Sequence, residues 1–117
     1  MARVVALFDD LLLGSNVLGM LRAAGHEVAL VSDPDAVRPD GAAVLVVDLA
    51  TPSFDGVAVV GRLRESGELG NTRVLGVYSH VDAETRQRAE EAGLDLVAPR
   101  SRMAREGAKL VERLAAG

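Results

Sequence analysis

A chain of 117 residues, half of them apolar and few aromatic, has enough sequence for one core and too much Val, Leu and Ala for disorder. It contains no cysteine, which excludes a disulfide framework, a zinc–thiolate cluster and a thiol nucleophile, and its net charge of −4 disfavours nucleic-acid binding. No apolar run reaches the roughly 18 residues of a membrane span, and no basic segment precedes an apolar stretch at the amino terminus, so a soluble cytoplasmic protein without a membrane partner is expected.

In chain order, Arg3 to Phe8 is a short β-branched run that predicts a first strand. After Asp10 the pattern becomes helical, with Val17, Leu18, Leu21 and Ala24 on one face and Gly25 as a left-handed cap. Glu27 to Val31 predicts a second strand, Asp33-Pro34 a cap and first-turn proline of a very short helix, and Pro39-Asp40-Gly41 a turn. Val44 to Val47 is apolar on both faces, as in the middle of a parallel sheet. A loop of turn formers, Leu49 to Gly56, leads to a helix from about Val57 to Ser66 with Val57, Val60 and Leu63 inward. Val74 to Tyr78 predicts a fourth strand. Asp82 then caps a polar helix to Ala92, whose outer side carries Arg86, Arg88, Glu90 and Glu91 and is expected in solvent. Leu94 to Ala98 predicts a fifth strand, and Met103, Gly107, Leu110, Val111 and Leu114 line one face of a terminal helix.

Five strands alternating with five helices predict one domain over residues 1–117: an α/β, doubly wound five-stranded parallel sheet of flavodoxin-like order, in three α/β/α layers. Such a sheet places ligands at the carboxyl ends of its strands. The suggestive polar residues all follow strand ends: Asp9 and Asp10, then Asp48, then Ser79 and His80, then Arg100 and Ser101. His26, outside that edge, is expected to have no chemical role. Strands one and three are neighbours in this order, so Asp9, Asp10 and Asp48 are expected to share a crevice. Three carboxylates so close cannot all ionise cheaply; either a cation sits among them or a pKa rises, and Mg²⁺, which takes oxygen ligands, suits the set. The only lysine, Lys109, is far down the last helix.

These residues resemble the receiver domain of bacterial response regulators over essentially the whole chain. The resemblance is carried by Phe8-Asp9-Asp10, by Val47-Asp48-Leu49 with Pro52 and Asp55-Gly56, by Tyr78-Ser79-His80, and by Gly93-Leu94-Asp95. It implies that Asp48 accepts a phosphoryl group from a histidine kinase or a small phosphodonor. It further implies that Asp9, Asp10, Asp48 and the backbone of Ala50 hold Mg²⁺, and that Ser79 contacts the phosphoryl oxygen. Such transfer depends on positioning and on charge neutralisation by the metal.

The chain departs from that pattern in three places. Counted from Gly93, the family's lysine falls on Arg100, a planar fork instead of a compact point charge. The aromatic switch position falls on Val97, and His80, a candidate gate over the phosphoacceptor, stands where the family carries a small residue. Ser79-His80-Val81-Asp82 and Pro99-Arg100-Ser101 are similar to an atypical branch of receiver-like proteins, which makes His80 and Arg100 a candidate pair and Arg100 a candidate phosphoryl contact. The expectation is a stand-alone signalling element, not an enzyme. It would act through a downstream effector protein near the fourth and fifth helices, a face also open to homodimer contact. The alternative is a non-phosphorylated pseudo-receiver serving as a protein-interaction scaffold. A flavin or cobalamin carrier is disfavoured: the loop from Asp9 to Gly14 is no phosphate cradle, and there is no Asp-x-His-x-x-Gly motif.

Overall fold

The structure, a computed structural model, describes residues 2–117. Among them the elements run β1 (Arg3–Leu7), α1 (Leu11–Ala23), β2 (Glu27–Val31), a 3₁₀ turn (Pro34–Ala36), β3 (Val44–Asp48), α2 (Gly56–Glu65), β4 (Arg73–Tyr78), α3 (Ala83–Glu91), β5 (Leu96–Pro99) and α4 (Arg100–Ala116). All five strands pair in parallel in the order β2-β1-β3-β4-β5. This is the doubly wound, flavodoxin-like order, whose direction reverses between β1 and β3.

Strand alternation sorts the core into two layers. Val4, Ala6, Phe8, Val44, Val46, Leu75 and Val77 point toward α1 and α4, where Val17, Leu21, Met103, Leu110 and Val111 meet them. Val5, Leu7, Leu45, Val47 and Val74 point the other way, toward Val57, Val60 and Leu63 of α2 and Ala89 of α3. β3 lies between covered neighbours and is buried along its whole length.

The five helices expected are present as four α-helices and one 3₁₀ turn, the latter being the very short helix expected at Asp33-Pro34. Asp33 caps that turn by accepting the Asp35 N–H at 2.9 Å, and the chain is extended again by Val37. The helices expected as fourth and fifth are therefore α3 and α4. Ala24 is exposed beyond the end of α1 instead of on its inner face. β5 starts two residues late because Asp95 turns back at its foot and accepts the Val74 N–H at 2.7 Å, while Leu94 drops into the core. His26 is buried as a structural tie, its Nδ1 accepting the Ala2 N–H at 3.1 Å with Glu112 at 3.8 Å.

Three helices start in the same way. Asp10, Asp55 and Asp82 each accept the N–H three residues on, from Leu13 at 3.0 Å, Ala58 at 3.1 Å and Thr85 at 3.0 Å. α4 does not: β5 runs directly into it, Pro99 stands at the N-cap position, and no side chain caps it. Helix starts and strand ends thereby gather at one edge of the sheet.

Two glycines allow close approach at different costs. A Cβ on Gly56 would lie 2.9 Å from the Asp48 carbonyl and 2.7 Å from Leu49, whereas one on Gly107 would meet the flexible ends of Met20 and Met103. Gly56→Ala is therefore expected to destabilise the fold by about 1–3 kcal/mol through overpacking against backbone. Gly107→Ala should change stability by less than about 1 kcal/mol, since the methionines can move and alanine favours the helix. Urea denaturation of both variants checks the order.

Candidate functional site at the carboxyl edge of the sheet

Asp48 is the last residue of β3, fixed opposite Val77 of β4, and has no solvent exposure. One carboxylate oxygen, Oδ1, accepts the Ala50 N–H at 2.9 Å. The other, Oδ2, is buried without a hydrogen-bond partner, and the nearest cation is Nη2 of Arg100 at 3.9 Å. The Arg100 side chain is partly exposed, yet its Nε is also buried without a partner. Burial pushes the Asp48 carboxyl above the usual carboxylate range. The Ala50 N–H and the Arg100 guanidinium pull against that shift, while the charges of Asp9 and Asp10 reinforce it. The three acids therefore feel one another, as their strand positions require.

The acids differ in state. Asp9 is half-buried, and the hydroxyls of Ser53 and Thr51 hold its carboxyl below the usual range. Asp10 is exposed and turned onto the start of α1 through Leu13. Among the described residues, no three His, Cys, Asp or Glu side chains are grouped so as to hold a metal ion as they stand. The donor chemistry nevertheless suits Mg²⁺, since a buried, unpartnered carboxylate oxygen in the field of two further carboxylates is the hard oxygen donor such a cation takes.

The remaining expected residues surround this acid to different degrees. Ser79 is half-buried at the end of β4, and its carbonyl accepts the Asp82 N–H at 2.9 Å. His80 and Val81 are exposed on the turn beyond it. Arg100, followed by exposed Ser101, is the first residue of α4, and every peptide bond here is trans among the described residues. Its reach to Asp48 is set by the abrupt passage from strand to helix.

Two features of the site were not expected from sequence. Leu49 donates its N–H to the Val77 carbonyl at 2.7 Å, and its side chain fills the space left by Gly56 and Gly76, where a Cβ would lie 2.7 Å from it. The residue after the acid is thus keyed into both α2 and β4. Arg88 leaves the solvent side of α3 to meet Asp55 at 3.1 Å, joining α3 to the cap of α2. An apolar residue after a strand-end Asp, followed by glycines, was the signal for the first. The second had none, since it depends on how two helices stand side by side.

No protein-family profile and no curated protein matches the sequence. Solved structures do. The receiver domain of the Francisella response regulator 1452 superposes with a TM-score of 0.85 at 18% identity, covering 99% of this chain and 98% of that one. The non-phosphorylated HemR receiver domain from Leptospira biflexa gives 0.83 at 20%, covering 100% and 96%. The chemotaxis response regulator CheY4 of Vibrio cholerae gives 0.80 at 21%, covering 97% and 98%. The chain has the receiver-domain fold. No helix among the described residues is long and apolar enough to cross a membrane.

Asp55 supplies a pH test of the α2–α3 tie. Partial burial raises its carboxyl, but the Ala58 N–H and the Arg88 guanidinium outweigh this and leave it below the usual range. A carboxylate with a lowered folded pKa stabilises above its unfolded pKa, near ~3.9, and loses that contribution as pH falls through the folded value. Asp55→Asn keeps a capping oxygen and removes the charge. It should cost no more than about 1 kcal/mol at pH 7, as an exposed pair allows, and the gap from wild type should close below about pH 4 in thermal melts.

Proposed function

We propose that this chain is an atypical receiver that accepts a phosphoryl group on Asp48 and signals through a partner protein. The supporting observation is the buried Oδ2 of Asp48, which has no hydrogen-bond partner and has Nη2 of Arg100 at 3.9 Å, at the sheet edge where Asp9, Asp10 and Ser79 also lie. The donor is the phosphohistidine of a histidine kinase or a small phosphodonor. Oδ2 of Asp48 forms the new bond to phosphorus, and the bond from phosphorus to the donor's imidazole nitrogen or acyl oxygen breaks, its electron pair leaving with the donor.

Asp48 enters that step held by the Ala50 N–H, which fixes Oδ1 and leaves Oδ2 free. Asp9, Asp10, Asp48 and the Ala50 carbonyl would hold Mg²⁺, which supplies charge neutralisation when bound. Ser79 offers a hydroxyl and Arg100 a guanidinium to the transferred group, and His80, exposed on the turn after Ser79, is the candidate gate. Output passes to an effector docked on α3 and α4, the pair also open to a homodimer.

Two observations favour a second reading, a pseudo-receiver that is never phosphorylated and serves as a scaffold. Asp48 is fully covered and Asp10 is engaged as a helix cap, so donor access requires side chains at the edge to move.

Incubation with acetyl phosphate and Mg²⁺, followed by intact-protein mass spectrometry, separates the two. The receiver reading expects one added phosphoryl group, labile to hydroxylamine and absent from Asp48→Ala. No mass change with acetyl phosphate or with phosphoramidate would leave the scaffold reading standing.

A further inference from the structure

We infer that the outer face of α1 docks a second copy of this chain, the two α1 helices pairing antiparallel about a two-fold axis. The inference is independent of the phosphoacceptor reading and concerns a face other than that of α3 and α4.

α1 lies on the sheet with Val17 and Leu21 buried beneath it. Its outer side differs from those of the other helices. Only Arg22 is charged in α1, whereas charges stand exposed on α2 (Arg62, Glu65), α3 (Glu84, Arg86) and α4 (Arg105, Lys109). Leu11 and Leu12 are 78% and 75% exposed. Single apolar side chains in water are ordinary, but two in succession at the head of an uncharged helix face mark an interaction surface.

Gly19, on the same face, is an independent observation. Its φ is not positive, and a Cβ there would meet nothing within 4 Å. The isolated chain therefore has no need of a glycine, which destabilises a helix interior by roughly 0.5–1 kcal/mol relative to alanine. What a glycine provides at such a place is close approach from outside.

The spacing of the face indicates what approaches. Leu12, Asn16, Gly19 and Ala23 are all exposed and follow one another at steps of four, three and four, the seam of a packed helix pair. Laid antiparallel on itself about the midpoint between Val17 and Leu18, this seam sets Leu12 against Ala23 of the second copy and Asn16 against Gly19. Each contact joins a large side chain to a small one. A two-fold axis repeats both contacts, as a self-complementary surface requires.

Charge complementarity fixes the same orientation. Asp10 is exposed at the head of α1, and Arg22, in its last turn, makes only a 3.5 Å contact to the Val28 carbonyl. The antiparallel arrangement brings Arg22 of one copy level with Leu13 of the other, about 4.5 Å along the axis from Asp10 at ~1.5 Å per residue and within reach of a guanidinium. A parallel pair would instead set Asp10 beside Asp10, with the helix dipoles aligned unfavourably. The second copy thereby contributes a cation to the edge that holds Asp9 and Asp10.

The test is sedimentation equilibrium of the full chain up to about millimolar concentration, where a small, transient interface is populated, with amide NMR over the same dilution series. Wild type should dimerise, with concentration-dependent shifts centred on residues 11–23. Gly19→Glu fills the approach and opposes like charges across the axis. Glutamate is also the better helix former, so the melting temperature in dilute solution should hold or rise while the dimer dissociation constant rises at least about tenfold. Leu12→Ala and Arg22→Glu should also weaken the dimer. Gly61→Glu, at an open glycine of α2 flanked by exposed charges, is the control and should leave it unchanged.

A chain that stays monomeric at the highest concentration would overturn the inference. So would a dimer of unchanged affinity in Gly19→Glu, which would place the contact on another face, or an equal loss in Gly61→Glu.

Discussion

A carboxylate at the end of the most deeply buried strand sets the terms for the rest of this molecule. Asp48 belongs to β3, which has parallel neighbours on both edges and helices over both faces. Ionising an acid there costs free energy, and the raised pKa is that cost expressed as proton affinity. The surroundings are built to hold the acid even so. The Ala50 N–H takes one oxygen, Leu49 is keyed between two glycines, and Asp55 starts α2 immediately beyond. Neither glycine has a left-handed backbone; each is needed because Leu49 occupies the place a Cβ would take.

The same constraint explains how the two faces differ. On the α1 and α4 side, Val17, Leu21, Met103, Leu110 and Val111 provide a continuous apolar contact. On the other side α3 contributes one buried residue, Ala89, and is otherwise held by polar ties at its ends. Asp82 binds the Thr85 N–H and hydroxyl, and Arg88 reaches Asp55. Exposed polar ties contribute little to stability, so α3 belongs to the less stable part of the structure. Its link to Asp55 ties it to the cap of α2, at the far end of the loop of residues 49–55 that follows the acid.

The strands, their order and the gathering of Asp9, Asp10, Asp48 and Ser79 at one edge were legible because they follow from patterns local to each segment. β-branched runs mark the strands, and the order makes β1 and β3 neighbours. The features that could not be read depend on pairings between segments. The Asp95 turn that delays β5 and the crossing of Arg88 to Asp55 each require a partner whose position the sequence does not state. His26 shows the same limit: a lone histidine after Gly25 is silent in sequence, and its tie to Ala2 exists only once β1 and β2 are paired.

The passage from β5 into α4 belongs to this second class and bears most on function. Pro99 and Arg100 suggest a loop from sequence, because a proline ordinarily separates a strand from the next element. Its fixed φ and missing N–H also suit the residue before a helix, and there it ends the strand and opens α4 in one step. A loop would leave the Arg100 guanidinium free to sample solvent, whereas a helix starting at the sheet edge fixes its backbone within reach of Asp48. A lysine is a mobile point charge that can follow a phosphoryl group; an arginine on a helix start is a fork whose direction is largely set in advance. Such a fork suits a partner that does not move, and Asp48 is fixed at the end of β3 opposite Val77.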